Sequence, residues 1–337
     1  MITLLVVVLA LALDSLLGEP KRFHPLVLFG RYAGTIERRF YAAKPNLLPL
    51  SLREKGWGEG NSVSSGKNSP SPWPSPGGRG NYWRGAFAVC IAIVPLASLA
   101  ALTALTPFAW ILDALLLYLA VGWHSLNAHA RPIRDALHNN EIARARQQVG
   151  MMVSRDTAAM KADDVSKAAV ESVLENGNDA IFGALFWFVV AGAPGAVAYR
   201  LANTLDAMWG YRNERYAAFG WAAARLDDAL NFIPARLTAL SYAIVGHTRS
   251  ALRCWDEQAR HWDSPNAGPV MASGAGSLRL ALGGPASYHG KLEDRPVLGG
   301  GATPQALDID RALKLVDRSL ALWLIVLSGG ALLAYTF

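Results

Sequence analysis

The sequence predicts an all-α, polytopic inner-membrane helical bundle with cytoplasmic helical loops. Three observations carry that class. Hydrophobic residues fill 52% of the 337 positions and charged residues only 17%, whereas a soluble domain carries roughly 25% charge. Mean hydropathy is positive, at +0.20. The apolar runs alternate with loops over which the basic residues of a +6 chain are scattered. Scattered loop charge fits membrane orientation and contact with anionic lipid better than it fits a nucleic-acid partner. The two cysteines, Cys90 and Cys254, lie far apart in sequence, which leaves no disulfide framework or metal knuckle.

Met1 to Leu17, at the start of the chain, is apolar except for Thr3, Asp14 and Ser15. It shows neither a basic start nor a clear cleavage site, so it is expected to be a retained, embedded helix, slightly short for a full span. Gly18-Glu19-Pro20 breaks it. His24-Pro25 then leads into a short amphipathic helix, with Glu37-Arg38-Arg39 expected to face headgroups. Residues 44–82 are rich in Ser, Pro and Gly and lack apolar periodicity. They are assigned as a disordered insertion within a single 1–337 membrane domain, because such a segment buries too little to offset its ordering entropy. Gly85 to Leu105 is long enough to span, Thr106-Pro107 turns the chain, and Phe108 to Trp123 runs back. Asn127 to Lys167 reads as a soluble helical hairpin. Within it, Ser154-Arg155-Asp156-Thr157 is a helix-starting signal.

The next stretch carries acid. Glu171, Glu175 and Asp179 are spaced four apart and share a face if one helix continues through them. Like charges so placed call for something positive opposite, such as a metal, an arginine or a magnesium nucleotide. Plain surface acid is the bland alternative. Ala180 to Arg200 is apolar but interrupted by Gly192-Ala193-Pro194-Gly195. It is either a kinked span or a re-entrant pair of half-helices. A full crossing would carry the chain beyond Arg200 away from Glu175; re-entry would return it to the same side.

The densest polar stretch of the chain comes directly after, Asn203 to Arg236, holding Asn203, Asp206, Arg215, Arg225, Asp227, Asp228 and Arg236. Polar density at the edge of a bilayer is costly and marks a site. Phe232 to Gly246 is a short apolar segment. A second soluble region from His247 to Arg318 contains Asn266 and Gly268, and two glycine runs, Gly274-Ala-Gly276 and Gly299 to Gly301. Glycine-rich backbone can cradle phosphate, although neither run fits a P-loop or dinucleotide fingerprint. Leu320 to Phe337 is a final span. Acids with Asn and Arg suit a magnesium-bound anion, the carboxylates holding the hard cation and the arginines the anion. The residues themselves leave open a phosphoanhydride-using enzyme, an ion-coupled transporter, and a non-catalytic membrane scaffold or sensor.

Several blocks resemble the CobD/CbiB family of cobalamin biosynthesis, the adenosylcobinamide-phosphate synthases. They are LALDSLLGEP and HPLVLFGR, then SRDT, VSKAAVESVLENGNDAIFGALF, and AGAPGAVAYRLANTLDAMWGYRNERYAAFGWAAARLDDALNFIPARL, and finally SPNAG. Only about 44–82 falls outside the likeness. The resemblance implies ATP-dependent amide formation between adenosylcobyric acid and (R)-1-aminopropan-2-ol O-phosphate, or free aminopropanol, with Mg²⁺. It implies membrane lipid and other cobalamin-pathway enzymes as partners. On residue chemistry and family position, Glu171, Glu175 and Asp179 are candidate metal ligands. Glu175, Asp228 and Arg225 are candidate catalytic groups. Asn203, Asp206, Arg215, Asp227, Arg236, Asn266 and Gly268 are candidate substrate or nucleotide contacts.

Overall fold

The computed structural model describes residues 1–20, 24–41, 79–211, 215–288 and 290–336. Helices dominate: α1 (Ile2–Leu17), α2 (Pro25–Phe40), α3 (Arg79–Ala101), α4 (Ala109–Ala120), α5 (Trp123–His138), α6 (Ile142–Val149) and α7 (Ala162–Gly177) form the first half. The second half holds α8 (Gly183–Trp209), α9 (Tyr216–Phe219), α10 (Trp221–Val245), α11 (Thr248–Gln258), α12 (Ala267–Leu278) and α13 (Ala306–Thr336). Four helical runs are long and apolar enough to cross a membrane: Gly80–Leu105, Ala109–His138, Ala162–Trp209 and Ala306–Thr336. The protein is an all-α polytopic membrane protein. Most of the assigned insertion lies outside the described residues, but positions 79–82 already belong to α3.

The third of those runs is not one rod. Its first arm is α7, continued through a π-helical turn at Asn178–Phe182 into the start of α8. At Ala191 (φ −134°, ψ 16°) and Gly192 (φ 65°, ψ −159°) the helical dihedrals fail. Positive φ is cheap only for glycine, and Pro194 suits the first turn of the new arm, where its missing N–H costs nothing. The return arm then packs against the outgoing one. A Cβ built on Gly195 would lie 2.4 Å from the Trp187 carbonyl oxygen, and one on Gly183 would lie 2.1 Å from the Tyr199 ring. In a straight helix Gly183 and Tyr199 would be about 24 Å apart. The segment therefore turns back on itself as a helical hairpin, and the two glycines let its arms touch.

The helices pack into two cores. One joins α1, α4 to α7, both arms of α8, α10, α11, α12 and α13. The other joins α2, α3, the return arm of α8, α9 and α10. Helix α12 is buried at every position, as expected of a helix surrounded on all sides. Its glycines, which as a sequence run are able to cradle phosphate without matching a known fingerprint, are packing positions. A Cβ on Gly274 would meet Leu174 at 2.8 Å, and one on Gly276 would meet the Ala251 backbone at 2.7 Å. Four three-residue strands separate α12 from α13: β1 (Ala281–Gly283), β2 (Ala286–Tyr288), β3 (Lys291–Glu293) and β4 (Val297–Gly299). β1 pairs antiparallel with β4, and β2 with β3, so the segment is one nested hairpin.

Two local expectations change. The Ser154–Thr157 signal starts no helix; α7 begins at Ala162, where Asp164 receives the Lys161 amide. Glu37 does not face headgroups. It is buried, and its carboxylate accepts from Trp209 Nε1 (3.2 Å), Tyr216 OH (3.1 Å) and Arg215 Nη2 (2.6 Å).

Candidate functional site

The hairpin in α8 places its return arm beside the π turn. Arg200 Nη1 reaches the Asp179 carbonyl at 3.4 Å, and the Tyr199 hydroxyl reaches the same carbonyl at 3.2 Å. Asn203 and Asp206, one and two turns further on, thereby join Glu175 and Asp179. Helix α10 closes the other side with Asp227, Asp228 and Asn231. The result is a cavity of about 380 Å³ lined by Glu175, Asp179, Asp206, Asp227, Asp228 and Asp263, with Asn178, Asn231 and Asn266. Among the described residues, arginine, lysine and histidine are missing from its lining.

Asparagine amides hold two of these acids, Asp227 and Asp179. Asn231 Nδ2 donates to both Asp227 oxygens at 3.1 Å, and Asn203 Nδ2 to one of them at 3.3 Å. Asn178 Nδ2 donates to Asp179 at 2.8 Å and to Asn231 Oδ1 at 2.9 Å, while its own Oδ1 accepts from Thr238 at 2.9 Å. Neutral donors satisfy lone pairs but leave the charge uncompensated. Asp227 lies on α10, outside the four candidate spans. Burial pushes its carboxyl above the ordinary carboxylate range, against the pull of the Asn231 and Asn203 hydrogen bonds.

A second cavity, of about 390 Å³, adjoins the first, and Glu175 and Asp263 line both. Its other walls include Arg155, Glu171, Trp262, Tyr288 and Arg295. Here opposite charges meet. The buried Glu171 carboxylate is paired with Arg155, and with Arg295 at 3.2 Å, and accepts the Gly283 amide at 2.7 Å. The Arg295 guanidinium also sits 5.3 Å from the Trp262 ring centre. Asp156 fastens the strand segment from outside, accepting from Ser287 Oγ at 2.9 Å and from the Gly290 amide at 2.7 Å.

The structure sorts the residues picked from sequence into three groups. Glu175, Asp179, Asp206, Asp227, Asp228 and Asn266 line the acidic cavity, with Asn203 hydrogen-bonded to Asp227. Glu175 is the one at the junction. It is exposed to the cavities and has no hydrogen bond or ion pair among the described residues. Glu171 departs from the expected metal set, because both its oxygens are already engaged. Among the described residues, no group of three or more His, Cys, Asp or Glu side chains is arranged to hold a metal ion.

The arginines and the glycine form the third group. Arg215 pairs with Glu37 and lies over the Tyr41 and Tyr216 rings, exposed at the edge of the second core. Arg225 is 62% exposed and meets Asp228 at 3.4 Å as an i,i+3 surface pair. Arg236 organises the loop before α12, donating to Asn266 Oδ1 (3.0 Å) and to the Pro265 carbonyl (3.2 Å). These three lie outside both cavities. Gly268 is buried in the first turn of α12, where a Cβ would lie 2.3 Å from the Ala259 carbonyl oxygen.

Sequence reasoning missed Arg155 and Arg295, the two arginines that line the second cavity. It also missed Asn178, Tyr199, Arg200 and Asn231. Asn231 carried a readable signal, four residues after Asp227 on one helix. Arg295 carried none, since its partner lies 124 residues away.

Comparisons with known proteins give the family. A family model described as CobD/Cbib protein matches residues 7–316. The cobalamin biosynthesis protein CobD of Stutzerimonas stutzeri is 52% identical over 322 residues, 95% of each chain. That of Chromobacterium violaceum is 50% identical over 326 residues, 96% of each chain. That of Mycobacterium tuberculosis H37Rv is 35% identical over 336 residues, covering 97% of this chain and 93% of its own. No solved structure matches. With the family model spanning nearly the whole helical bundle, and both cavities inside the matched region, the chain belongs to the CobD/CbiB family.

Proposed function

We propose that the chain acts in cobalamin biosynthesis as an inner-membrane ligase. In this reading it joins adenosylcobyric acid to (R)-1-aminopropan-2-ol O-phosphate, or to the free amino alcohol, at the expense of ATP. The observation that carries it is the unpaired Glu175 carboxylate at the meeting point of an acidic and an arginine-lined cavity. A carboxylate does not accept an amine at neutral pH without activation. One substrate carboxylate oxygen attacks the terminal phosphorus of ATP and ADP leaves. The amine nitrogen then attacks the acyl carbon, phosphate leaves, and the amine proton passes to a base. Glu175 is suited to take that proton, since nothing else holds its oxygens. Arg155 and Arg295 are suited to meet the phosphoryl charge.

The donor set fits a Mg²⁺ that arrives with the nucleotide. Mg²⁺ keeps water and phosphate in its shell and needs only one or two protein carboxylates. Asp179 and Asp227 flank Glu175 and are all-oxygen donors. When bound, the ion neutralises phosphate charge. The test is ATP-dependent conversion of adenosylcobyric acid by the purified full chain in detergent or liposomes, with Glu175→Gln and Asp228→Asn alongside. Near-normal turnover in both variants would overturn the site assignment.

One observation favours a second reading. A broken helix that turns back beside an acidic cavity is a feature of ion-coupled transporters. Ion uptake into liposomes, coupled to a corrinoid gradient and independent of ATP, would support that reading against the ligase.

A further inference from the structure

A third cavity, of about 730 Å³, lies between α2, α3, α4 and the return arm of α8. Three of its walls, α3, α4 and the return arm of α8, belong to candidate membrane spans, so its apolar lining is set among membrane helices. Its lining is leucine-rich, with Leu99, Leu115 and Leu116 along its length. The hydroxyls that border it are already spent. Tyr32 donates to the Ile91 carbonyl at 3.2 Å, Thr106 to the Thr103 carbonyl at 2.8 Å, and Thr103 to the Ala100 carbonyl at 2.8 Å. Among the described residues a polar occupant would find no free side-chain donor along the groove, whereas an alkyl chain needs none.

The exception stands at one end. Among the described residues Arg200 is the only charged one in the lining. Its Nη1 makes two long bonds, 3.4 Å to the Asp179 carbonyl and 3.4 Å to Asn203 Oδ1. Its Nε is buried with no partner among the described residues. From Leu112 to Ala120 the groove follows α4 for about 12 Å toward this guanidinium. We propose that the groove holds one anionic glycerophospholipid, an acyl chain along α4 and its phosphate at Arg200. Arginine matches phosphate with paired N–H donors, and a half-used guanidinium beside an apolar trough supplies both halves of the recognition. Glu19 shares a separate small cavity with Arg200 and is absent from the lining of the groove. This site is independent of the ligase reading.

Native mass spectrometry of the delipidated full chain in mild detergent tests it, with added phosphatidylglycerol or phosphate-free diacylglycerol carrying the same chains. The wild type is expected to retain one phosphatidylglycerol and to hold diacylglycerol about tenfold more weakly, the scale of one charge-assisted contact. Arg200→Gln should bring the two lipids level, and Arg200→Lys should restore part of the preference. Leu99→Trp, on the exposed rim, should lower retention of both and does not depend on a core residue for folding. Equal retention of the two lipids by the wild type would overturn the proposal. So would unchanged retention in Leu99→Trp, or displacement of the lipid by millimolar inorganic phosphate, which would mark a soluble-anion site.

Discussion

The two polar cavities share Glu175 and Asp263 yet solve the problem of buried charge in opposite ways. In the arginine-lined cavity, Glu171 pairs with both Arg155 and Arg295 and takes an amide hydrogen bond from the strand segment, which leaves the trio with one net positive charge. These three buried charges partner one another, so that wall is set before anything binds. In the acidic cavity six carboxylates face one another with asparagines between them. Amide hydrogen bonds fix Asp179 and Asp227 in position but do not cancel their charge, so the cavity holds a field that an incoming cation or ammonium group completes. The contrast teaches a division of labour. The first cavity is built for stability and positioning, and the second stores unfavourable electrostatics at the place where chemistry is proposed, a trade common at active sites.

That contrast can be broken at its strongest point first. Glu171→Ala leaves two buried guanidinium groups without their counter-ion, and it should destabilise the protein by about 3–5 kcal/mol. Thermal unfolding in detergent measures this; an unchanged midpoint would mean the arginine cavity is not prearranged. Glu175→Gln should behave oppositely. It removes no hydrogen bond or ion pair, so the unfolding midpoint should hold while kcat falls by about 100-fold or more. A loss of stability in place of rate would make Glu175 a structural residue.

A smaller effect concerns Asp227. Its folded-state carboxyl lies above the ordinary range because of burial, so the folded protein binds a proton that the unfolded chain releases. Stability from this group is therefore lost as pH rises through the ordinary carboxylate range and on to the raised folded value. Asp227→Asn should raise the unfolding midpoint by about 2 °C. The gain should be larger at pH 8 than at pH 5, while turnover declines. A gain that shrinks with rising pH would reverse the sign of the electrostatics argued for this cavity. The smallest effect is expected at Arg225→Ala. An exposed i,i+3 pair contributes under about 1 kcal/mol, so stability and steady-state rate should both stay within about twofold of wild type. A collapse in rate would return Arg225 to the candidate catalytic groups.

Much of the candidate site was legible because it rests on short-range pattern. The four-residue spacing from Glu171 to Glu175 survives as one face of α7, and the Asn203-to-Arg236 stretch does supply the second acidic wall. The arginines misled for a physical reason. Arg215, Arg225 and Arg236 are neighbours of those acids in sequence, but a long cation takes whichever acceptor or ring the tertiary fold brings near. For Arg215 that is Glu37 with two tyrosines, and for Arg236 it is the loop before α12. The glycine runs misled in a related way. Glycine is equally the residue of loops and of tight helix contacts, and α12 uses it for contact.

The sequence by itself determined the membrane class, the order of apolar helices, the acidic face of α7 and the family. Each of these rests on composition, on ordered blocks of residues or on periodicity within a few turns, which local physics dictates. Only the tertiary structure decided that Ala180 to Arg200 turns back at Gly192 and so brings Asp206 and Asp227 to the side of Glu175. It alone decided that Glu171 serves two arginines and not a metal. Those outcomes depend on two glycines allowing two helix arms to touch, and on a carboxylate meeting Gly283 and Arg295 across 112 and 124 residues of chain. At that separation the pairing is set by how the helices pack, and no local pattern records it.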